Sequence, residues 1–106
     1  MPHLVVDISG HGFGHAGQVL PVVSELMAAR PDIQVTIRTA VPAETVQGFM
    51  QRDLAVQPPP ADLGLVMHGP IEVDVPASAA AYARPHADFD TVVRRAAERL
   101  AALKPD

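Results

Sequence analysis

Asp7-Ile8-Ser9-Gly10-His11-Gly12-Phe13-Gly14-His15-Ala16-Gly17 is the stretch on which the fold turns. The apolar run Leu4-Val5-Val6 leads into it, and an amphipathic segment from Val19 to Arg30 leaves it. A strand, a glycine-dense loop and a helix in that order aim backbone N–H groups and a helix N-terminus at an anionic ligand. Glycines at alternate positions 10, 12 and 14 remove side chains and allow positive φ, so a sharp turn against a ligand is expected. His11 and His15 are set among them. Binding an anion needs no imidazole, whereas moving a proton does.

Outward from the loop, Leu4 to Ile8 reads as a short buried strand. The helix after the loop is expected to start near Ala16 to Gln18, with Pro21 in or just after its first turn. Val19, Leu20, Val22, Val23, Leu26 and Met27 form its apolar stripe, and Arg30-Pro31-Asp32 ends it. Ile33 to Thr39 is a second strand, with Ile33, Val35 and Ile37 on one face and Thr36 and Arg38 on a more polar one. Two parallel strands joined by a helix make a right-handed βαβ unit. Pro42-Ala43-Glu44 opens a shorter helix to about Arg52, with Val46, Phe49 and Met50 inward, and Leu54-Ala55-Val56 is a third short strand.

Pro58-Pro59-Pro60 stops that strand, and six of the eleven prolines fall in residues 58–85, which predicts a long loop with one short helix, Ala77 to Ala83. Asp88 to Lys104 is the clearest helix. Phe89, Val92, Val93, Ala96, Leu100 and Leu103 keep helical spacing, Asp88 caps it, Asp90 and Arg94 form an i,i+4 pair, and Pro105 ends it. The expected class is α/β, a parallel sheet with flanking helices. A chain of this order stops on a helix whose next strand would lie beside the first. It therefore reads as a truncated N-terminal piece, with Lys104-Pro105-Asp106 where that strand would begin. The open edge of the first strand would then favour self-association.

With 106 residues, one domain is expected. An apolar content of 48 % excludes a disordered chain. The net charge of −4 is evenly spread, with no basic face, which argues against nucleic acid or an anionic membrane as partner. The absence of cysteine removes disulfides and thiolate metal sites. No window reaches the ~18 apolar residues of a membrane span, and the first residues do not form a secretory leader, so the cytoplasm is the expected location.

Gly12-Phe13-Gly14-His15-Ala16-Gly17 is also a literal G-x-G-x-x-G between a strand and a helix, the arrangement of a dinucleotide site. The turn's first glycine should fall at the strand end, which is Gly10, and that puts the remainder out of frame. The second strand ends Ile37-Arg38-Thr39 without the acid a ribose needs, although Arg38 could receive a 2′-phosphate. An NADP-binding domain is the sharpest rival reading. There is no Gly-Lys-Ser/Thr for a P-loop. His11 and His15 have the i,i+4 spacing of a zinc pair but no third ligand near them in sequence, so no metal site is assigned. His3 reads as structural, His68 and His86 as solvated loop residues. Asp7 is odd within a buried strand and suits either a bond to loop amides or the edge of a layer.

Ser-Gly-His-Gly-Phe-Gly-His-Ala, residues 9–16, closely resembles the signature that opens the N-terminal domain of GT-B glycosyltransferase-like proteins, including the glycosyltransferase-like part of plant arabinokinases. Gly14-His15, Pro21 and Val35-Thr36-Ile37-Arg38-Thr39 resemble the opening of UDP-glycosyltransferases more generally, and Asp62-Leu63-Gly64 and Val73-Asp74 are similar to later pieces of the family. Relatives commonly carry Ala-Thr-Arg where this chain has Ala16-Gly17-Gln18, so an arginine for an anionic group is missing.

The resemblance implies a Rossmann-like N-terminal half that shapes the acceptor side of a cleft. A nucleotide-sugar donor would be held mainly by a second domain not contained in these residues, and no other cofactor is implied. His15 would take the proton from an acceptor hydroxyl in an inverting transfer. Gly10, His11, Gly12, Phe13 and Gly14 would shape the site, and Asp62, Gly64 and Asp74 would contact the substrate. The 106 residues alone would have no turnover. A positioned imidazole is the side chain suited to activating an alcohol near neutral pH. A third class of reading is non-catalytic, a sugar-sensing domain fused to a sugar kinase.

Overall fold

A computed structural model describes residues 1–11, 13–59 and 64–106. Among the described residues seven elements follow in order: β1 (His3–Ile8), α1 (Gly14–Ala29), β2 (Gln34–Thr39), α2 (Ala43–Gly48), β3 (Ala55–Gln57), α3 (Val75–Ala83) and α4 (Phe89–Leu103). The strands form one parallel sheet in the order β1-β2-β3. This is the Rossmann-like α/β class that the strand–loop–helix reading predicts.

Register divides the sheet into two unlike faces. Val6, Ile37 and Val56 stand side by side, as do Asp7, Arg38 and Gln57 one residue on. Successive residues point to opposite faces. One face therefore carries Leu4, Val6, Ile8, Val35, Ile37 and Val56, and the other carries His3, Val5, Asp7, Thr36, Arg38 and Gln57. The apolar face packs into a single cluster with Ala16, Leu20, Val23 and Met27 of α1, and with Val41 and Val46. Every buried apolar side chain among the described residues lies between Ile8 and Val46. The first β-α-β-α run thus holds the core.

Helix α1 begins two residues earlier than the expected Ala16. Phe13 is its N-cap residue without a side-chain cap bond, and the Gly17 N–H donates to the Phe13 carbonyl at 2.8 Å. Pro21 consequently sits in the helix interior, not in its first turn. An interior proline lacks the N–H that would bond four residues back. Pro21 and Gly17 are both exposed, so water can take the orphaned carbonyl. The buried stripe runs 16, 20, 23, 27, and Val22, expected inside, is 67 % exposed. Helix α2 stops at Gly48, short of the expected Arg52, leaving Phe49 as an exposed C-cap. Arg52 instead donates to the carbonyls of Pro31 and Ile33 at 3.2 and 2.9 Å, tying the approach to β3 onto the α1–β2 turn.

The region expected to be a loop carries more order than its prolines imply. Met67 and Val73 pair as an antiparallel bridge, flanked by His68 N–H to Glu72 and Asp74 N–H to Val66, both 2.8 Å. Gly69, at φ 152°, supplies the turn between them. Helix α3 starts at Val75, two residues before the expected Ala77, because Asp74 accepts from the Ala77 N–H and Pro76 falls in the first turn.

Helix α4 matches its predicted caps, with Asp88 accepting from both the Thr91 N–H and the Thr91 hydroxyl. Asp90 and Arg94 are not among the ion pairs of the described residues. No residue of α4 is buried. The radius of gyration, 15.8 Å, exceeds the ~13 Å of a compact chain of this length, which fits helices that project from the core. At the far end of α4 the Asp106 N–H donates to the His3 carbonyl, and its carboxylate accepts from the His3 N–H at 2.8 Å.

The Thr91 bonds hold the Asp88 carboxyl below its ordinary range. A lowered folded-state value means that the cap's support of α4 is present above the ordinary aspartate value, near pH 4, and disappears as pH falls through the folded value. Helical far-UV signal should therefore fall below about pH 4 in the native chain. In Asp88→Ala the signal should be lower at neutral pH, with this acid step flattened.

Candidate functional site

The carboxyl end of a parallel sheet is where α/β folds gather ligand-facing groups, and the glycine loop lies at that end of β1. Its close approaches are steric. A Cβ on Gly10 would lie 2.6 Å from the Cβ of Ala40, in the loop after β2, so only glycine lets the two loops meet. A Cβ on Gly64 would fall within the imidazole of His11, so the bare backbone at 64 makes room for that ring. The only positive-φ glycine among the described residues is Gly69. The expectation that Gly10 and Gly14 serve a left-handed turn is thus corrected. Gly10 is required for space, and nothing described stands within 4 Å of the Cβ position at Gly14.

His15 is the second residue of α1 and is exposed, and its side chain makes no hydrogen bond or ion pair to the described residues. His11 is also exposed, and Phe13 keeps 64 % of its surface. One stretch of backbone therefore presents two imidazoles and a phenyl ring to solvent where β1 gives way to α1. Gly12 and Asp62 lie outside the described residues. Asp74 is engaged within its own segment: it caps α3, and its carboxylate meets His68 Nε2 at 2.8 Å. His68, read as a solvated loop residue, is indeed 60 % exposed and is half of that pair. Of the predicted site residues, the structure brings His11 and Gly64 together, keeps His15 accessible beside them in sequence, and gives Asp74 a capping role.

The sequence reading did not foresee the pairing of Asp7 with Arg38. Nε and Nη2 of Arg38 donate to the two carboxylate oxygens of Asp7 at 2.5 and 2.6 Å. The arginine side chain is 7 % exposed and the aspartate 46 %. Hydrogen bonding to the Asp7 carboxylate raises the guanidinium value further, against a smaller opposing effect of burial. One edge of Arg38 is thus already occupied, and the N–H groups of Nη1 and the second N–H of Nη2 are left to meet a ligand. His3, one turn of pleat away on the same face, bonds Thr36 Oγ1 at 2.8 Å, a structural role as expected. The signal for the ion pair was present: Asp7 and Arg38 are each the fifth residue of a six-residue strand.

Asp7→Ala leaves a buried guanidinium without its counter-charge. Because Asp7 is half exposed and water can enter, the expected cost is about 2 kcal/mol, below the ~3–5 kcal/mol of a fully buried pair. Adding Arg38→Met should recover most of that loss in urea melts. An Asp7→Ala chain as stable as the wild type would show the pair to be energetically idle.

Among the described residues, no three His, Asp or Glu side chains converge as a metal would require, and no helix is long and apolar enough to cross a membrane. Comparison with protein-family models, with curated proteins and with solved structures returns no match.

Proposed function

We propose that this chain is the acceptor-side part of an inverting, nucleotide-sugar-dependent glycosyltransferase of the GT-B kind, with His15 as general base. The observation that carries the reading is the open imidazole of His15 in the first turn of α1, at the carboxyl end of the sheet. It sits after a loop that Gly10 packs tightly against Ala40. The Gly-His-Gly-Phe-Gly-His resemblance supplies the reaction class.

In that reaction an acceptor hydroxyl gives its proton to a ring nitrogen of His15 while its oxygen attacks the anomeric carbon from the face opposite the leaving group. The bond from that carbon to the nucleoside diphosphate breaks, and the electron pair departs with the diphosphate. Stabilisers for the leaving diphosphate belong to the donor-binding partner domain. His11, against Gly64, would contact the acceptor, and Phe13 offers a flat apolar surface for the underside of a sugar ring.

Calorimetric titration with free sugars, UDP-sugars and NADPH separates the readings. Weak heats with hydroxyl acceptors and none with NADPH are expected. Tight NADPH binding would overturn the proposal in favour of a dinucleotide domain.

A further inference from the structure

On the opposite side of the sheet from α1, the carboxyl ends of β2 and β3 and the end of α4 enclose a half-open cavity of about 440 Å³. Among the described residues its polar lining is Arg38, Gln57 and Arg99, and its apolar lining includes Pro58, Pro59 and Leu103. Among the described residues, none of its lining belongs to the glycine loop. We infer that this cavity binds a small organic anion, with a carboxylate or phosphate head and an apolar body.

Charge and geometry favour that class. Asp7 holds Arg38 by Nε and Nη2, so the guanidinium plane is fixed before any ligand arrives. Its Nη1 makes no hydrogen bond to the described residues, and no buried side-chain nitrogen or oxygen among them lacks a partner. Nη1 therefore retains solvent contact, and Arg38 has the cavity before it. The Asp7 charge is balanced by Arg38, whereas Arg99 has no ion-pair partner among the described residues. The surplus among the described residues lining the cavity is thus positive.

A guanidinium whose N–H groups remain free forms short, charge-assisted bonds to carboxylate or phosphate oxygens, and the Gln57 amide adds a neutral donor. The volume falls within the ~300–1,000 Å³ of small-molecule sites. Proline and leucine walls suit an apolar body better than a hydrated inorganic ion. A cation would meet two arginines, and an uncharged ligand would leave Arg99 unneutralised.

The test is amide NMR on the 106-residue chain at low ionic strength, titrated with phenyl phosphate, benzoate and inorganic phosphate. Saturable shifts at Gln57, Arg99 and Leu103 are expected with an aromatic probe, inorganic phosphate binding more weakly than the better of the two. Whichever aromatic probe binds tighter identifies the head group. Arg99→Gln, an exposed position, should weaken binding about tenfold, the loss of one charge-assisted bond, with the remaining spectrum unchanged. Absence of saturable shifts, equal affinity in Arg99→Gln, or inorganic phosphate binding as tightly as both aromatic probes would each overturn the assignment.

Discussion

Ile37→Ala is expected to lower the stability of the chain by about 3–4 kcal/mol, the scale of a cavity left by a fully buried aliphatic side chain. Ile37 has no exposed surface and stands in the central strand between Val6 and Val56. Both faces of its strand are covered: five of the six β2 residues are buried. Neither neighbouring strand can close over the gap without losing register, and a one-residue slip would turn Arg38 into the apolar cluster. Ile37→Val, which removes one methylene, should cost about 1 kcal/mol.

Val93→Ala is the control. It lies on α4 at 49 % exposure, so a change within about 0.5 kcal/mol is expected. The chain has no tryptophan, so the transition is best followed by far-UV circular dichroism in urea. Equal losses at positions 37 and 93 would mean that the core is not confined to the first four elements.

The second large effect is chemical. With the domain assembled beside a donor-binding half, His15→Ala should reduce turnover by about 10²–10⁴-fold, the range for a lost general base. Donor affinity should change little, because the donor is held elsewhere in the proposed arrangement. Loss of fold is not a competing explanation. His15 is exposed in the first turn of α1, and alanine is the stronger helix former. His11→Ala should act differently, raising the acceptor KM more than it lowers kcat, since its ring packs against Gly64. Turnover that survives His15→Ala would move the base to another group.

The pattern of these effects matches where the sequence could be read and where it could not. Helix α4 was legible because its caps and apolar spacing are local: Asp88, Thr91 and the run from Phe89 to Leu103 act within a turn or two of each other. The segment from residue 66 to 78 reads mostly as loop in sequence because its order rests on pairs set by tertiary position. Met67 against Val73, and Ser78 against Val66 at 2.8 Å, leave little periodic trace. The α1 start was placed too late since no capping side chain marks it, and burial of Ala16 and Leu20 draws the helix back to Gly14.

By itself the sequence determined that the chain alternates strand and helix, that a side-chain-poor loop carrying two imidazoles joins the first pair, and that β1, β2 and α4 lie where they do. Apolar periodicity and caps are properties of neighbours in the chain, and neighbours suffice to read them. Only the tertiary structure decided that Asp7 meets Arg38, 31 positions away, and that His11 rests on Gly64. It alone placed Arg99 at the cavity lined by Arg38. Those contacts depend on strand register and on how helices settle over a sheet, which many distant side chains fix together.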